Sequence, residues 1–151
     1  MHMSLHNHTG LLTAAKGFHK SAEKLNTGPQ QLDAPLPVYY LFLHAVELSL
    51  KSYLHFRGVD ESGLREIGHD LETAWQRAVD LGICDLCSEC QELQDCIQII
   101  GPIYRGNQLE YFYPSRKRLP PIGNIYKSSD KIITVLDKFY AQELEESRET
   151  A

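Results

Sequence analysis

PVYYLFLHAVELSLKSYLHFRG, residues 37–58, is the stretch whose reading decides the fold. Tyr39, Phe42, Leu43, Val46, Leu50, Tyr53 and Leu54 recur at three- and four-residue steps and form one apolar helix face. His44, Glu47, Lys51 and His55 recur at the same steps and form a second, titratable face. Glu47 stands four residues before Lys51, the order that suits an ion pair on consecutive turns. Ala45, Leu48, Ser49 and Ser52 fill the rest of the circumference. A helix with so few polar residues is expected to be covered by protein on most sides. Its polar stripe then belongs in a groove or an interface, where function concentrates.

Working outward, the chain reads as helices with almost no strand. Residues 4–25 form the first, with Leu11, Ala15, Phe18, Ala22 and Leu25 on one face. Residues 26–37 (NTGPQQLDAPLP) form a loop by their glycine and prolines. Residues 37–58 are stopped by Gly58, and 60–68 hold a short extra turn. The third helix runs over 69–82, with Leu71, Ala74, Trp75, Ala78 and Val79 inward. The fourth covers 85–113 on Leu86, Cys90, Leu93, Ile97, Ile100 and Tyr104, with a kink or break expected at Gly101-Pro102. Residues 114–123 (PSRKRLPPIG) are a basic, proline-rich connection. The last helix spans 124–145, with Ile125, Ile132, Ile133, Leu136, Phe139 and Tyr140 inward, and the polar end at 143–151 is expected to fray. One apolar stripe per helix, short connections and no repeat predict an all-α, up-and-down antiparallel bundle of four to five helices.

Composition agrees with one globular domain over residues 1–151, its core within about 4–142. A chain of this length buries about 68–70% of its unfolded surface. The apolar share is 42% and the net charge is −5, which speaks against a sequence-indifferent binder of nucleic acid but leaves room for a local basic patch. No run reaches the roughly 18 apolar residues of a membrane span, and the polar start MHMSLHNHTG lacks a leader core. A cytoplasmic protein is expected. Its four cysteines are then expected to be thiols.

HAVELSLKSYLHFRG (44–58), followed eleven residues after Gly58 by HDLETAWQRAVDLG (69–82), resembles the HEPN domain, a helical bundle associated with nucleotides and RNA. The family pattern sets Ala-x-Glu-x-x-x-Lys on an apolar helix, then Gly, then His-Asp-Leu opening the next helix. Here it falls on Ala45, Glu47, Lys51, Gly58 and His69-Asp70-Leu71. Tyr104-Arg105 and Phe112-Tyr113-Pro114 add to it. The likeness extends over about residues 4–142. It implies a four- or five-helix bundle and homodimers with facing grooves. It also implies a toxin–antitoxin or defence setting beside a nucleotidyltransferase partner. Many members are metal-independent ribonucleases carrying Arg, four to six residues, then His. The corresponding positions after Arg105 are Glu110, Tyr111 and Phe112. A phenol with a pKa of about 10 is a poor base near neutral pH, so Tyr111 does not replace the histidine. The chain resembles a member without the complete nuclease motif.

Each candidate residue has two readings. Glu47 and Lys51 line an RNA or nucleotide groove, or form a helix-surface ion pair. His69 belongs to the pocket, or caps and packs the start of its helix. Arg105 grips phosphate, or pairs inside the bundle with Glu47. Tyr111, Phe112 and Tyr113 stack on bases while Arg116, Lys117 and Arg118 meet phosphates, or they are a packed helix end and a solvated loop. Cys84, Cys87, Cys90 and Cys96 lie in one short segment, unlike the separated knuckles of zinc sites, so no metal is expected. His2, His6 and His8 read as a polar chain end. No glycine-rich phosphate loop, nucleophile elbow or His-Glu-x-x-His pair is present, and no cofactor is expected. The expected function is a non-catalytic domain binding RNA, a nucleotide or a partner through His44, Glu47, Lys51, His69, Arg105, Tyr111 and Tyr113. One alternative is a divergent ribonuclease using Arg105 with Tyr111, His44 or His69; another is a structural dimerisation module.

Overall fold

The computed structural model describes residues 7–27, 36–105 and 120–150. They form six α-helices: α1 (His8–Thr27), α2 (Leu36–Phe56), α3 (Glu61–Ile67), α4 (Leu71–Asp80), α5 (Cys90–Arg105) and α6 (Ile122–Glu149). A single 3-10 turn, Ile83–Asp85, precedes α5, and there is no strand among the described residues. The all-α bundle read from the sequence is the fold found. No helix among the described residues is long and apolar enough to cross a membrane.

α2 is the centre. It packs against α1, α6, α4 and α3, while α5 closes on α4 and α6. Twelve of its 21 residues are buried, among them Phe42, Leu43, Leu50, Tyr53 and Leu54. The residues between the two expected faces are also covered: Ser49 Oγ donates to the Ala45 carbonyl, and Ser52 Oγ donates to the His8 carbonyl. α2 ends as a Schellman motif. Gly58 has φ 101°, its N–H bonds to the His55 carbonyl, and the Val59 N–H reaches Leu54.

The corner between α3 and α4 is built by two residues. Gly68 takes φ 57°, which turns the chain out of α3. Asp70 caps α4, accepting from the Thr73 N–H at 3.1 Å and the Thr73 hydroxyl at 2.8 Å. His69 is held between them, so Gly-His-Asp is a corner with the imidazole at its apex.

Several expectations are corrected. The stripe of α1 is Leu12, Ala15, His19 and Ala22, while Leu25 is exposed and Leu11 and Phe18 pack at the margin. The fourth helix does not begin at 85, because Gly82 in the left-handed region and the 3-10 turn occupy that stretch. Of the kink or break expected at Gly101-Pro102, a break is not found: Pro102 lies inside α5, which continues to Arg105. The cysteines are not all thiols. The turn before α5 brings Cys84 and Cys90 to a Cα separation of 5.4 Å, within disulfide range, and they are bonded. Cys87 and Cys96 remain free, and burial pushes both thiols above the usual cysteine range. α6 runs to Glu149 with every residue from 141 to 150 exposed, as a segment rich in the helix formers Ala, Gln, Glu and Leu allows.

Candidate functional site

The polar stripe of α2 folds inward onto one carboxylate. Glu47 is 2% exposed, and donors surround both of its oxygens. Oε1 lies 2.8 Å from His69 Nδ1 and 3.3 Å from Lys51 Nζ. Oε2 accepts the Tyr104 hydroxyl at 2.8 Å and stands 2.8 Å from His44 Nδ1. Four donors fill the four lone-pair positions of one carboxylate. They come from three places in the fold: α2 itself, the Gly68-His69-Asp70 corner, and the last turn of α5.

The electrostatics follow from this geometry. Burial alone drives a carboxyl pKa upward. Here the His44 hydrogen bond, the Lys51 charge, the Tyr104 hydroxyl and the His69 ring together outweigh it, and hold Glu47 down at about 2. Glu47 is therefore ionised at any physiological pH. It fixes both imidazoles, since the nitrogen facing a carboxylate must carry a hydrogen. His44 and His69 each present Nδ1–H to Glu47, which turns each Nε2 away from it. Aromatic edges hold the rings: Phe18 meets His44 at 4.4 Å, and Tyr104 meets His69 at 5.7 Å.

Arg105 stands beside this cluster without joining it. Its Nη1 is 3.6 Å from Asp70 Oδ2, not at Glu47, which corrects the expected Glu47–Arg105 pair. The reason is saturation: Glu47 has no acceptor position left, and Asp70 lies next to His69. Burial raises the Asp70 carboxyl, but the Thr73 N–H, the Thr73 hydroxyl and Arg105 outweigh it and bring the group below its usual value. The side chains of His69 and Arg105 are both 56% exposed, whereas Lys51 is 15% exposed. The exposed face of the site is thus an imidazole and a guanidinium, and Lys51 serves mainly as a partner of Glu47.

Of the residues named from the sequence, His44, Glu47, Lys51 and His69 come together, and Arg105 joins through Asp70. His55 departs from the stripe, its ring nitrogen bonding the Val59 carbonyl at the helix end. Asp70, expected only as part of a motif, is the cap of α4 and the partner of Arg105. Tyr104, read as core, delivers its hydroxyl to Glu47; a tyrosine ending an apolar stripe next to an arginine was the available signal. Tyr111, Phe112, Tyr113, Arg116, Lys117 and Arg118 lie outside the described residues.

The site depends on a close crossing of α4 and α5. A Cβ at Gly101 would come within 2.8 Å of Glu72 Cγ, so glycine lets α4 lie against α5 one turn before Tyr104 and Arg105. Glu72 Oε1 is buried at this crossing without a hydrogen-bond partner.

Comparison with protein-family models, with curated proteins and with solved structures finds no match for this chain.

Proposed function

We propose that this chain is a HEPN-like helical domain that binds RNA or a nucleotide at the Glu47 cluster without cleaving it. The observation that carries the reading is the convergence of His44, Lys51, His69 and Tyr104 on one buried, ionised carboxylate, with Arg105 exposed beside it. Such an anchor fixes the donor groups in advance, so the ligand does not have to order them. A phosphate oxygen would meet the Arg105 guanidinium and the His69 imidazole, the two exposed groups of the site. The reading includes a homodimer and a toxin–antitoxin or defence setting with a nucleotidyltransferase partner, both on the strength of the resemblance alone.

One observation favours a second reading, a divergent metal-independent ribonuclease. His69 has its Nδ1 on a carboxylate and its opposite nitrogen directed away, the arrangement that prepares an imidazole for proton transfer. In that case His69 would take the proton of the ribose 2′-hydroxyl, whose oxygen attacks the phosphorus. The leaving 5′-oxygen departs with a proton from a second donor, and Arg105 balances the phosphorane charge.

Fluorescence anisotropy with a labelled single-stranded oligoribonucleotide, followed by electrophoresis of the same samples, separates the readings. Saturable binding with the oligonucleotide intact, weakened at least tenfold in Arg105→Ala at unchanged melting temperature and in His69→Ala while that variant stays folded, is the expected result. Chelator-resistant cleavage lost in His69→Ala replaces the binder by the nuclease. No binding and no cleavage of RNA, with no binding of mononucleotides, ends both.

A further inference from the structure

Away from this site, three of the four cysteines stand at three-residue steps across the junction between the 3-10 turn and α5. Cys84 lies in the turn, Cys87 follows it, and Cys90 is the first residue of α5. Cys84 and Cys90 are bonded across a Cα separation of 5.4 Å and close residues 84–90 into a short ring, while Cys87 keeps its thiol. Burial is uneven around this ring. Cys84 and Cys90 are partly buried, whereas Cys87 is 6% exposed and belongs to the core. Contacts other than the disulfide also hold the ring. Ile83, just before it, is buried. The Asp85 N–H donates to the Gly82 carbonyl and the Leu86 N–H to the Ile83 carbonyl. Glu89 ties the ring to α6: its Oε1 pairs with Lys131 at 2.9 Å. Its Oε2 accepts the Ser88 hydroxyl at 2.8 Å and the Cys87 thiol at 3.6 Å.

We propose that Cys84 and Cys90 are a reversible oxidation site, and that their disulfide is a clasp keeping the Cys87 thiol out of solution. Core contacts and backbone hydrogen bonds build the turn, so the two Cα atoms stay within disulfide range when the bond is open. The bond then re-forms without refolding the bundle. A short ring restricts the unfolded chain less than a long one, so the fold leans little on it. The partly exposed sulfurs are within reach of a small thiol or disulfide in solution. Oxidation is exchange with a low-molecular-weight disulfide. The thiolate of one cysteine attacks a sulfur of that disulfide and expels a thiolate, leaving a mixed disulfide on the chain. The other cysteine attacks the protein sulfur and expels the second thiolate. Two protein thiols are oxidised, one external disulfide is reduced to two thiols, and the two protons go with them. An excess of the small thiol runs the same steps in reverse. With the bond closed, residues 86–89 are held down at both ends and Cys87 stays in the core. With it open, the Glu89–Lys131 pair and the packing of Cys87 alone hold that stretch, and local opening brings the thiol to solvent. The site concerns the start of α5 and does not depend on what the Glu47 cluster binds.

The test equilibrates the full chain with excess reduced or excess oxidised glutathione, removes the glutathione, and follows alkylation of each cysteine by peptide mass spectrometry. Cys84 and Cys90 are expected to be bonded to each other after the oxidised buffer and alkylated after the reduced one, and to interconvert when the buffers are exchanged. Cys87 is expected to react about tenfold faster in the reduced chain. Cys96, on α5 outside the ring, is expected to change little. The double variant Cys84→Ser, Cys90→Ser is expected to expose Cys87 as the reduced parent does, in either buffer. Cys84 and Cys90 left as thiols by the oxidised buffer, or left bonded by the reduced one, overturn the reversible site. A Cys87 rate that is equal in the two states of the parent overturns the clasp.

Discussion

Glu47 is the residue on which the candidate site turns. Its carboxyl is held at about 2 in the folded chain against an ordinary value of 4.5. A depressed carboxyl stabilises the fold above its unfolded value and ceases to do so as pH falls through the folded one. The expected loss lies between about pH 4.5 and about pH 2 and is of order 3 kcal/mol. Acid unfolding of the parent beside Glu47→Ala measures it: the variant, which has no such group, is expected to lack this component. At neutral pH the variant is expected to lose roughly 3–5 kcal/mol, because the donors around Glu47 are left facing a cavity.

Among the elements, the crossing of α4 and α5 is the most sensitive. Gly101→Ala drives a methyl group into Glu72, whose Cγ lies 2.8 Å away. The expected cost is about 1–3 kcal/mol, read by urea unfolding, together with weaker ligand binding because Tyr104 and Arg105 follow on the same helix. Glu72→Ala in the same chain removes the obstructing side chain and is expected to restore much of the loss. The elements also show how far the sequence could be read. α2 was legible because its apolar and titratable residues repeat at helical spacing, which puts His44, Glu47 and Lys51 on one stripe; the closure of His69 on Glu47 was only one of two readings of the Gly-His-Asp segment, because spacing along the chain does not show which way a corner side chain turns. The Glu47–Arg105 pair was misread because pattern gives the face a side chain occupies, not how many acceptor positions of a distant carboxylate are already filled. In α1, Ala15 and Ala22 are inward as read, but Leu12 and His19 take the places read as Leu11 and Phe18, and Leu25 is exposed. Leu11, Phe18 and Leu25 imitate an apolar stripe, whereas the buried line Leu12-Ala15-His19-Ala22 includes a histidine that hydropathy counts as polar. The Cys84–Cys90 bond was missed because the cellular compartment was weighed and the 3-10 turn that brings the two residues together was not foreseen.

For the whole molecule, α2 is the support around which the bundle and the site are built at once, since the helix that fills the core also carries the buried carboxylate. The distal part of α6 lies outside this arrangement. From 141 to 150 every residue is exposed, so a chain ending at residue 144 is expected to melt at essentially the same temperature and to bind the oligoribonucleotide as the parent does. A fall of more than a few degrees would mean that the helical extension supports the bundle. The central claim, that the Glu47 cluster is a ligand site, is tested most directly by NMR of the His44 and His69 ring nitrogens during titration with a short single-stranded oligoribonucleotide. The expected result is a saturable shift of the His69 signals, a smaller one at His44, and none at the remote His19. Saturable binding that leaves His44 and His69 unmoved while shifting other parts of the chain would contradict it.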